Sequence, residues 1–197
     1  MEAWEQLSDR IYEALAGGGV EARRALTRIA EEVSEHEAEL SREQQAYWRL
    51  LALAHLPGVT AEEAGEVRAL ASTLREDVEL AWLASFYAAM ALFYAGLVDA
   101  CAEVVDGMAE PPDAGEQFAW RALKISELQL ACEIWLRPSD ARPEAIAEFF
   151  ERSRQMSDPA SMTLPEELLM ALPNLQFGPH HESSRLEEVA AVCVGLI

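Results

Sequence analysis

The chain has 197 residues and a formal net charge of -20, and 51% of its residues are hydrophobic. This apolar content can stabilise a packed core, which excludes an intrinsically disordered acidic chain. The charge argues against direct binding of nucleic acid or of anionic membranes, because both require clustered lysine and arginine. It favours a cationic partner, although many bacterial cytosolic proteins are acidic without having one. Arginine supplies every basic residue except Lys124, a usage typical of a GC-rich bacterial coding sequence.

Helical rather than strand periodicity dominates the chain, and Ala, Leu, Glu and Arg are the commonest residues. We predict an all-α fold, an irregular array of antiparallel helical hairpins in a single domain over residues 1–197, with 173–182 as a candidate mobile segment. The predicted helices cover residues 2–16, 20–38, 42–56, 61–75, 78–95, 97–109, 114–136, 142–156, 164–172 and 183–195.

Helix starts and stops are marked by local side-chain chemistry. In a capping box the first side chain accepts a hydrogen bond from a backbone N–H, and a Glu or Gln three residues later bonds back. The pairs that fit are Ser41 with Gln44, Thr60 with Glu63, Asp113 with Glu116, and Ser184 with Glu187. Breaks are predicted at Gly17–Gly19, Pro57-Gly58, Gly96, Pro111-Pro112, Pro138, Pro159 and 173–181.

The second predicted helix has arginines near its start and carboxylates near its end. Its acids include Glu31, Glu32 and Glu35. This order runs against the helix dipole, which favours negative charge at the N-terminus by about 0.3–1 kcal/mol per charge. The sequence therefore indicates a candidate acidic surface that a partner could contact.

The third and fourth predicted helices carry a repeat-like pattern. Trp48-x-x-Leu51-Ala52, followed by Ala64, resembles the first-helix aromatic, leucine and small residue and the second-helix alanine of tetratricopeptide repeats. The resemblance covers about residues 45–155. It implies a scaffold of helical hairpins that binds a protein or peptide; without it, an irregular helical bundle is predicted.

Later helix pairs keep this pattern less regularly. Cys101 and Ala145 stand where Ala64 stands in the first pair, at successive spacings of 37 and 44 residues. A small residue at a helix crossing lets two backbones approach closely. The unequal spacings favour an irregular array over a regular solenoid.

The fifth predicted helix lies in an unusual stretch of the sequence. No charged residue occurs in the 19 residues Leu80–Val98, and no basic residue occurs between Arg75 and Arg121. The stretch approaches the ~20 residues of a membrane span. Its alanines and tyrosines, and the absence of basic flanks, favour a buried central helix instead.

The acids that follow are the second candidate binding surface. Asp99, Glu103 and Asp106 have the spacing of residues that share one helix face. The run continues with Glu110, Asp113 and Glu116. Like charges at this spacing are mildly destabilising, and a cationic partner would relieve their repulsion.

The sequence predicts no catalytic residue, cofactor site or metal site. His180 and His181 are adjacent and would point to opposite sides of an extended segment, which makes a poor chelate. The three cysteines fit neither a disulfide framework nor a zinc site, and Cys101 and Cys132 are interpreted as inert packing residues of a reducing cytosol. The start of the chain lacks the pattern of a signal peptide.

We therefore expect a cytoplasmic protein that is not an enzyme and that neutralises or chaperones a basic protein partner, such as a toxin or a secreted substrate. Immunity proteins and secretion chaperones suit this size and charge. The first alternative is a helical-bundle enzyme or small-ligand sensor with an apolar pocket around Phe86, Tyr87, Phe93 and Tyr94. The second is a nucleic-acid mimic. The oligomeric state and the partner's identity do not follow from the sequence.

Overall fold

A computed structural model of the chain describes residues 3–35, 40–112, 116–137 and 143–155. This part of the chain contains helices and no strand, which confirms the predicted all-α class. The helices are α1 (Ala3–Ala16), α2 (Gly19–Glu35), α3 (Arg42–Ala54), α4 (Ala61–Thr73), α5 (Val78–Tyr94), α6 (Val98–Asp106), α7 (Glu116–Leu136) and α8 (Pro143–Gln155). The helices predicted at 164–172 and 183–195 lie outside the described residues.

The helices group into two compact units, Met1–Ala91 and Leu92–Ile197. In the first unit, α1 packs on α2, α2 on α3, and α3 on α4. Apolar side chains at helical spacing form its core, and Ile11, Leu26 and Leu50 are among the most completely buried. Consecutive helices in contact are what short connections predict.

Two capping boxes begin the helices of the α3–α4 pair. The Ser41 hydroxyl accepts from the Gln44 backbone N–H, and the Gln44 side chain accepts from the Ser41 N–H. Thr60 and Glu63 make the same reciprocal pair at the start of α4. Both predicted boxes are confirmed; those at residues 113 and 184 involve residues that the structure leaves undescribed.

Helix α5 is apolar on every side. Trp82, Phe86 and Phe93 are buried, and no residue after Glu79 in this helix is exposed. A helix of this kind must be covered by protein on more than one side. The helix ends before Gly96, whose φ of 78° lies in the left-handed region that glycine adopts without strain. No helix in the described residues has the length and hydropathy needed to cross a membrane.

In the second unit, α7 packs against both α6 and α8. Leu128, Ile134 and Trp135 are almost completely buried, and buried residues occur all around α7. Helix α7 thus lies at the centre of the described part of the second unit. Pro143 begins α8, where its missing N–H leaves no intrahelical bond unmade. Ile146 and Phe149 form the buried stripe of α8.

Candidate functional site

Helix α6 carries three exposed carboxylates, Asp99, Glu103 and Asp106, which we call the acidic face. Their i, i+4, i+7 spacing places them on one side of the helix. Val98, Cys101 and Val105 form the buried side of the same helix. The sequence therefore builds an amphipathic helix whose polar stripe carries only negative charge.

The termini of α6 are closed mainly by backbone groups. Leu97 stands at the N-cap without a side-chain hydrogen bond, so Asp99 in the first turn is the residue that complements the helix dipole. At the other end, the Gly107 N–H donates to the carbonyl oxygens of Glu103 and Val104. Two of the three acids thus lie beyond the first turn, where the helix dipole does not favour a negative charge.

The remaining acids of this run are only partly described. Glu110 is exposed in the segment after α6, and Glu116 is the first residue of α7. Asp113 and the side chain of Glu116 lie outside the described residues. Within the described part, exposed carboxylates extend from Asp99 to Glu110.

The acids of α2 have a different environment. Glu32 Oε2 lies 2.5 Å from Arg10 Nη2 of α1, so its charge is balanced within the fold. Glu31 is exposed, and Glu35 is the last residue of α2, with its side chain outside the described residues. The structure thus gives Glu32 a folding partner that sequence analysis missed.

Arg23, near the start of α2, is also used within the fold. Arg23 Nη2 lies 2.5 Å from Glu63 Oε1, and its Nη1 donates to the carbonyl oxygens of Pro57 and Gly58 at 2.9 and 3.1 Å. Partial burial alone would raise the pKa of Glu63, but hydrogen bonds from Arg23 and Thr60, together with the Arg23 charge, outweigh burial and lower it. The basic start of α2 thus anchors the α3–α4 turn.

A groove of about 380 Å³ lies between α6, α7 and α8. Val105, Leu130 and Phe149 contribute apolar surface to it. Its charged lining residues are Asp106, Glu133, Arg137, Glu148 and Arg152. Asp106 belongs to both the groove and the acidic face, so the two features are continuous.

Charged side chains are also buried inside the second unit. Lys124 Nζ lies 2.8 Å from Glu127 Oε2, and these side chains are 7% and 3% exposed. Arg121, one turn before Lys124, is buried as well. An interior ion pair is costly to desolvate, so its retention requires close pairing. The spacing of Arg121, Lys124 and Leu128 along one strongly apolar helix was the available sequence signal.

Two cysteines meet at the α6–α7 contact. Cys101 and Cys132 are both buried, and neither is disulfide bonded. Hydrogen bonding with Cys132, then burial, raises the pKa of Cys101 well above its usual range, and the nearby Asp106 charge adds to the shift. The apolar sequence around both cysteines predicts their burial, but their proximity does not follow from the sequence, because they are 31 positions apart.

The aromatic residues proposed for a ligand pocket contact other rings. Phe86 stacks on Trp82 with 6.1 Å between ring centroids, and Tyr87 lies 5.2 Å from the His55 ring. Phe93 and Tyr94 have an edge contact at 5.9 Å. These contacts account for part of the aromatic surface, and the ligand pocket stays a prediction.

No cluster of three or more His, Cys, Asp or Glu residues suited to a metal ion occurs among the residues with described structure. His55 Nδ1 lies 2.7 Å from the Leu51 carbonyl oxygen, within its own helix. His36, His180 and His181 lie outside the described residues. The position of the His55 ring is thus explained by a hydrogen bond within its own helix.

Comparison with known proteins gives no relative: no family model, curated protein or solved structure matches the chain. The small residues behind the repeat resemblance are nevertheless placed at packed positions. Ala52, Ala64 and Cys101 are each fully buried, whereas Ala145 is half-buried. This burial agrees with close helix approach but is common to many helical arrays.

Proposed function

We propose that this chain is an acidic protein-binding protein, and that it associates with a basic protein partner through the acidic face of α6. The supporting observation is the exposure of Asp99, Glu103 and Asp106 on one side of a helix whose opposite side is buried. In sequence this helix lies within the 45 residues between Arg75 and Arg121 that contain no basic residue.

Electrostatics gives this surface a specific role in association. A face of one charge sign steers an oppositely charged partner and raises the association rate above the neutral value of about 10⁵–10⁶ M⁻¹s⁻¹. Side chains buried on binding then supply most of the affinity. The groove beside Asp106 is also lined by Leu130 and Leu136, half-buried apolar side chains that a partner could cover.

More specifically, we propose that the chain is a cytoplasmic protein with a scaffold of tetratricopeptide-like hairpins. Its role would be to neutralise a toxin or to chaperone a secreted substrate. In both classes a small acidic protein holds a basic one in an inactive or export-competent state. The helical-hairpin packing of the two units suits such a scaffold. Of the two acidic surfaces, α6 is the preferred one because Asp99, Glu103 and Asp106 are all exposed, whereas Glu32 of α2 is half-buried.

The test begins with the polypeptide that co-purifies with the tagged native protein. Its association rate is then measured by stopped-flow fluorescence over a salt series, for the wild type and for Asp99→Asn/Glu103→Gln/Asp106→Asn. We expect the triple variant to associate about tenfold more slowly at low salt, with a flatter salt dependence.

A matched variant separates this face from total charge. Glu13→Gln/Glu21→Gln/Glu62→Gln removes three exposed carboxylates of the first unit and changes the net charge equally. We expect its association rate to stay close to that of the wild type. A binding role for the acidic face would be contradicted if both variants slowed association equally. It would also be contradicted if the association rate changed neither with salt nor with substitution.

A further inference from the structure

The groove between α6, α7 and α8 is lined by residues at helical spacing. On α7 the lining residues extend from Ser126 to Arg137, and on α8 they extend from Ala145 to Arg152. At a rise of 1.5 Å per residue these two stripes are about 16 and 10 Å long. The groove is therefore elongated along α7, with one wall from α6 and another from α8.

The size of the groove suits one face of a helix. A helix is about 10–12 Å wide, so about three turns of it, 16 Å long, occupy roughly 1,500 Å³. The groove, at about 380 Å³, holds only a fraction of that volume. Its length and volume together match the side chains along one face of a helix that lies over α7.

Apolar side chains in contact with solvent line all three sides of the groove. Leu130 and Leu136 are half-buried on α7, and Ala102 and Ala145 are half-buried on the walls from α6 and α8. The small side chains of the walls allow another helix to approach closely. An amphipathic helix that lies in a groove covers this kind of surface with its own apolar residues.

The charges around the groove are balanced on two sides and unbalanced on the third. Glu133 and Arg137 on α7, and Glu148 and Arg152 on α8, have the i, i+4 spacing of a favourable acid–base pair. Helix α6 contains no basic residue, and its charged contribution to the lining is Asp106. The occupant of the groove should therefore be basic along the edge that faces α6 and close to neutral along its other edge.

We propose that the groove binds an amphipathic helix of the basic partner, with apolar residues of that helix on Leu130 and Leu136 and with lysine or arginine along its α6 edge. The inference rests on the proposed function, since it names the element of the partner that the second unit recognises. Asp106 belongs to both the groove and the acidic face, so one helix can contact both. The acidic face then raises the association rate, and the groove lowers the dissociation rate.

A defined peptide tests the groove directly. The probe is a fluorescein-labelled peptide of about 14 residues, roughly four helical turns, made of leucine and lysine with the leucines on one helix face. Its control has the same composition but alternates leucine and lysine strictly, a strand pattern that creates no apolar helix face. Both peptides carry the same charge, so the ratio of their dissociation constants, measured by fluorescence anisotropy, cancels non-specific attraction to the acidic chain.

The full-length protein should bind the helical peptide about tenfold more tightly than the alternating peptide, because only the helical peptide can bury leucines in the groove. The groove variant Leu130→Gln/Leu136→Gln should bind both peptides about equally, since it loses apolar contact without a change in charge. The control variant Leu15→Gln/Leu80→Gln alters two half-buried leucines of the first unit and should keep the preference.

A second groove variant guards against misfolding of the first. Ala145→Trp fills the groove from its α8 wall and removes no core side chain, because Ala145 is half-buried. It should abolish the preference for the helical peptide, and circular dichroism shows whether each variant keeps its helices.

Failure of the groove and failure of the acidic face give different results. If Asp99→Asn/Glu103→Gln weakens the binding of neither peptide, the acidic face and the proposed function are contradicted, whereas the peptide ratio still reports on the groove. The inference about the groove is overturned if the wild type binds both peptides equally, or if folded groove variants keep the preference. Sedimentation that shows a dimer of the wild type, dissociated by Ala145→Trp, would also overturn it, because a second copy would then fill the groove.

Discussion

Lys124 and Glu127 form an ion pair inside the second unit, with 2.8 Å between Nζ and Oε2 and side chains that are 7% and 3% exposed. Lys124 is the only lysine of the chain. The residue type most often found at protein surfaces thus occurs once and is buried. Its burial makes the pair mutually dependent, because either charge alone would be costly in the interior.

Separate removal of each charge should therefore be far more damaging than joint removal. We expect Lys124→Met and Glu127→Leu each to lower the free energy of unfolding by about 3–5 kcal/mol, since each removes a close partner from a charge that stays buried. The double variant should recover most of that loss. Urea unfolding of the four proteins gives the coupling energy of the pair.

Arg10 and Glu32 supply a matched exposed pair for this cycle. Their side chains are 43% and 34% exposed. Solvent screening should limit their coupling energy to about 0–1 kcal/mol. Similar coupling in the two cycles would contradict the structural difference between the pairs.

The same burial predicts a chemical protection. An amine-reactive ester should modify Lys124 in the folded protein about two orders of magnitude more slowly than in urea, because modification requires local opening. Peptide mapping at several reaction times measures both rates. Equal rates in the two conditions would show that the ammonium group is exposed.

The ion pair between Arg23 and Glu63 predicts a pH-dependent stability. Because the pKa of Glu63 is lowered on folding, its contribution is present above about pH 5 and is lost as the pH falls through the lowered pKa. We expect Glu63→Gln to cost about 1 kcal/mol at pH 7, and the difference from the wild type to shrink below about pH 4.5. Urea unfolding at pH 7, 5 and 3.5 measures this difference.

Glu62 provides the control for that experiment, since it occupies the same helix turn and is exposed. Glu62→Gln should change the free energy of unfolding by less than about 0.5 kcal/mol at each pH. A constant difference between wild type and Glu63→Gln across the pH series would show that the charge of Glu63 contributes nothing.

Two glycines in the first unit should respond oppositely to alanine. Gly58 has a φ of 64° in the turn before α4, whereas Gly65 lies within α4; a Cβ at either position meets no atom within 4 Å. We expect Gly58→Ala to destabilise by about 1–2 kcal/mol through backbone strain alone. Gly65→Ala should stabilise by about 0.5–1 kcal/mol. Thermal unfolding of both variants tests the signs, and a shift in the same direction for both would contradict this account.

Local features were the predictable part of this fold. The starts of α3 and α4 follow from Ser41 and Thr60, because a capping box involves only four consecutive residues. The burial of α5 follows from its lack of charge. Long-range pairs were not predictable, since nothing near Cys101 or Arg23 in sequence indicates Cys132 or Glu63. The acidic face could be predicted as a pattern, but its exposure depends on how α6 packs against α7.

The two capping boxes also bear on the order in which the first unit folds. Helices α3 and α4 are joined by the short segment 55–60 and pack on each other, so their contacts span small sequence separations that close quickly. Arg23 reaches this hairpin from 34 to 40 residues away. We infer that the hairpin forms before the rate-limiting barrier and that Arg23 joins after it. Loss of the Arg23 contacts would then mainly raise the unfolding rate of the first unit, whereas loss of the capping boxes would mainly lower its folding rate.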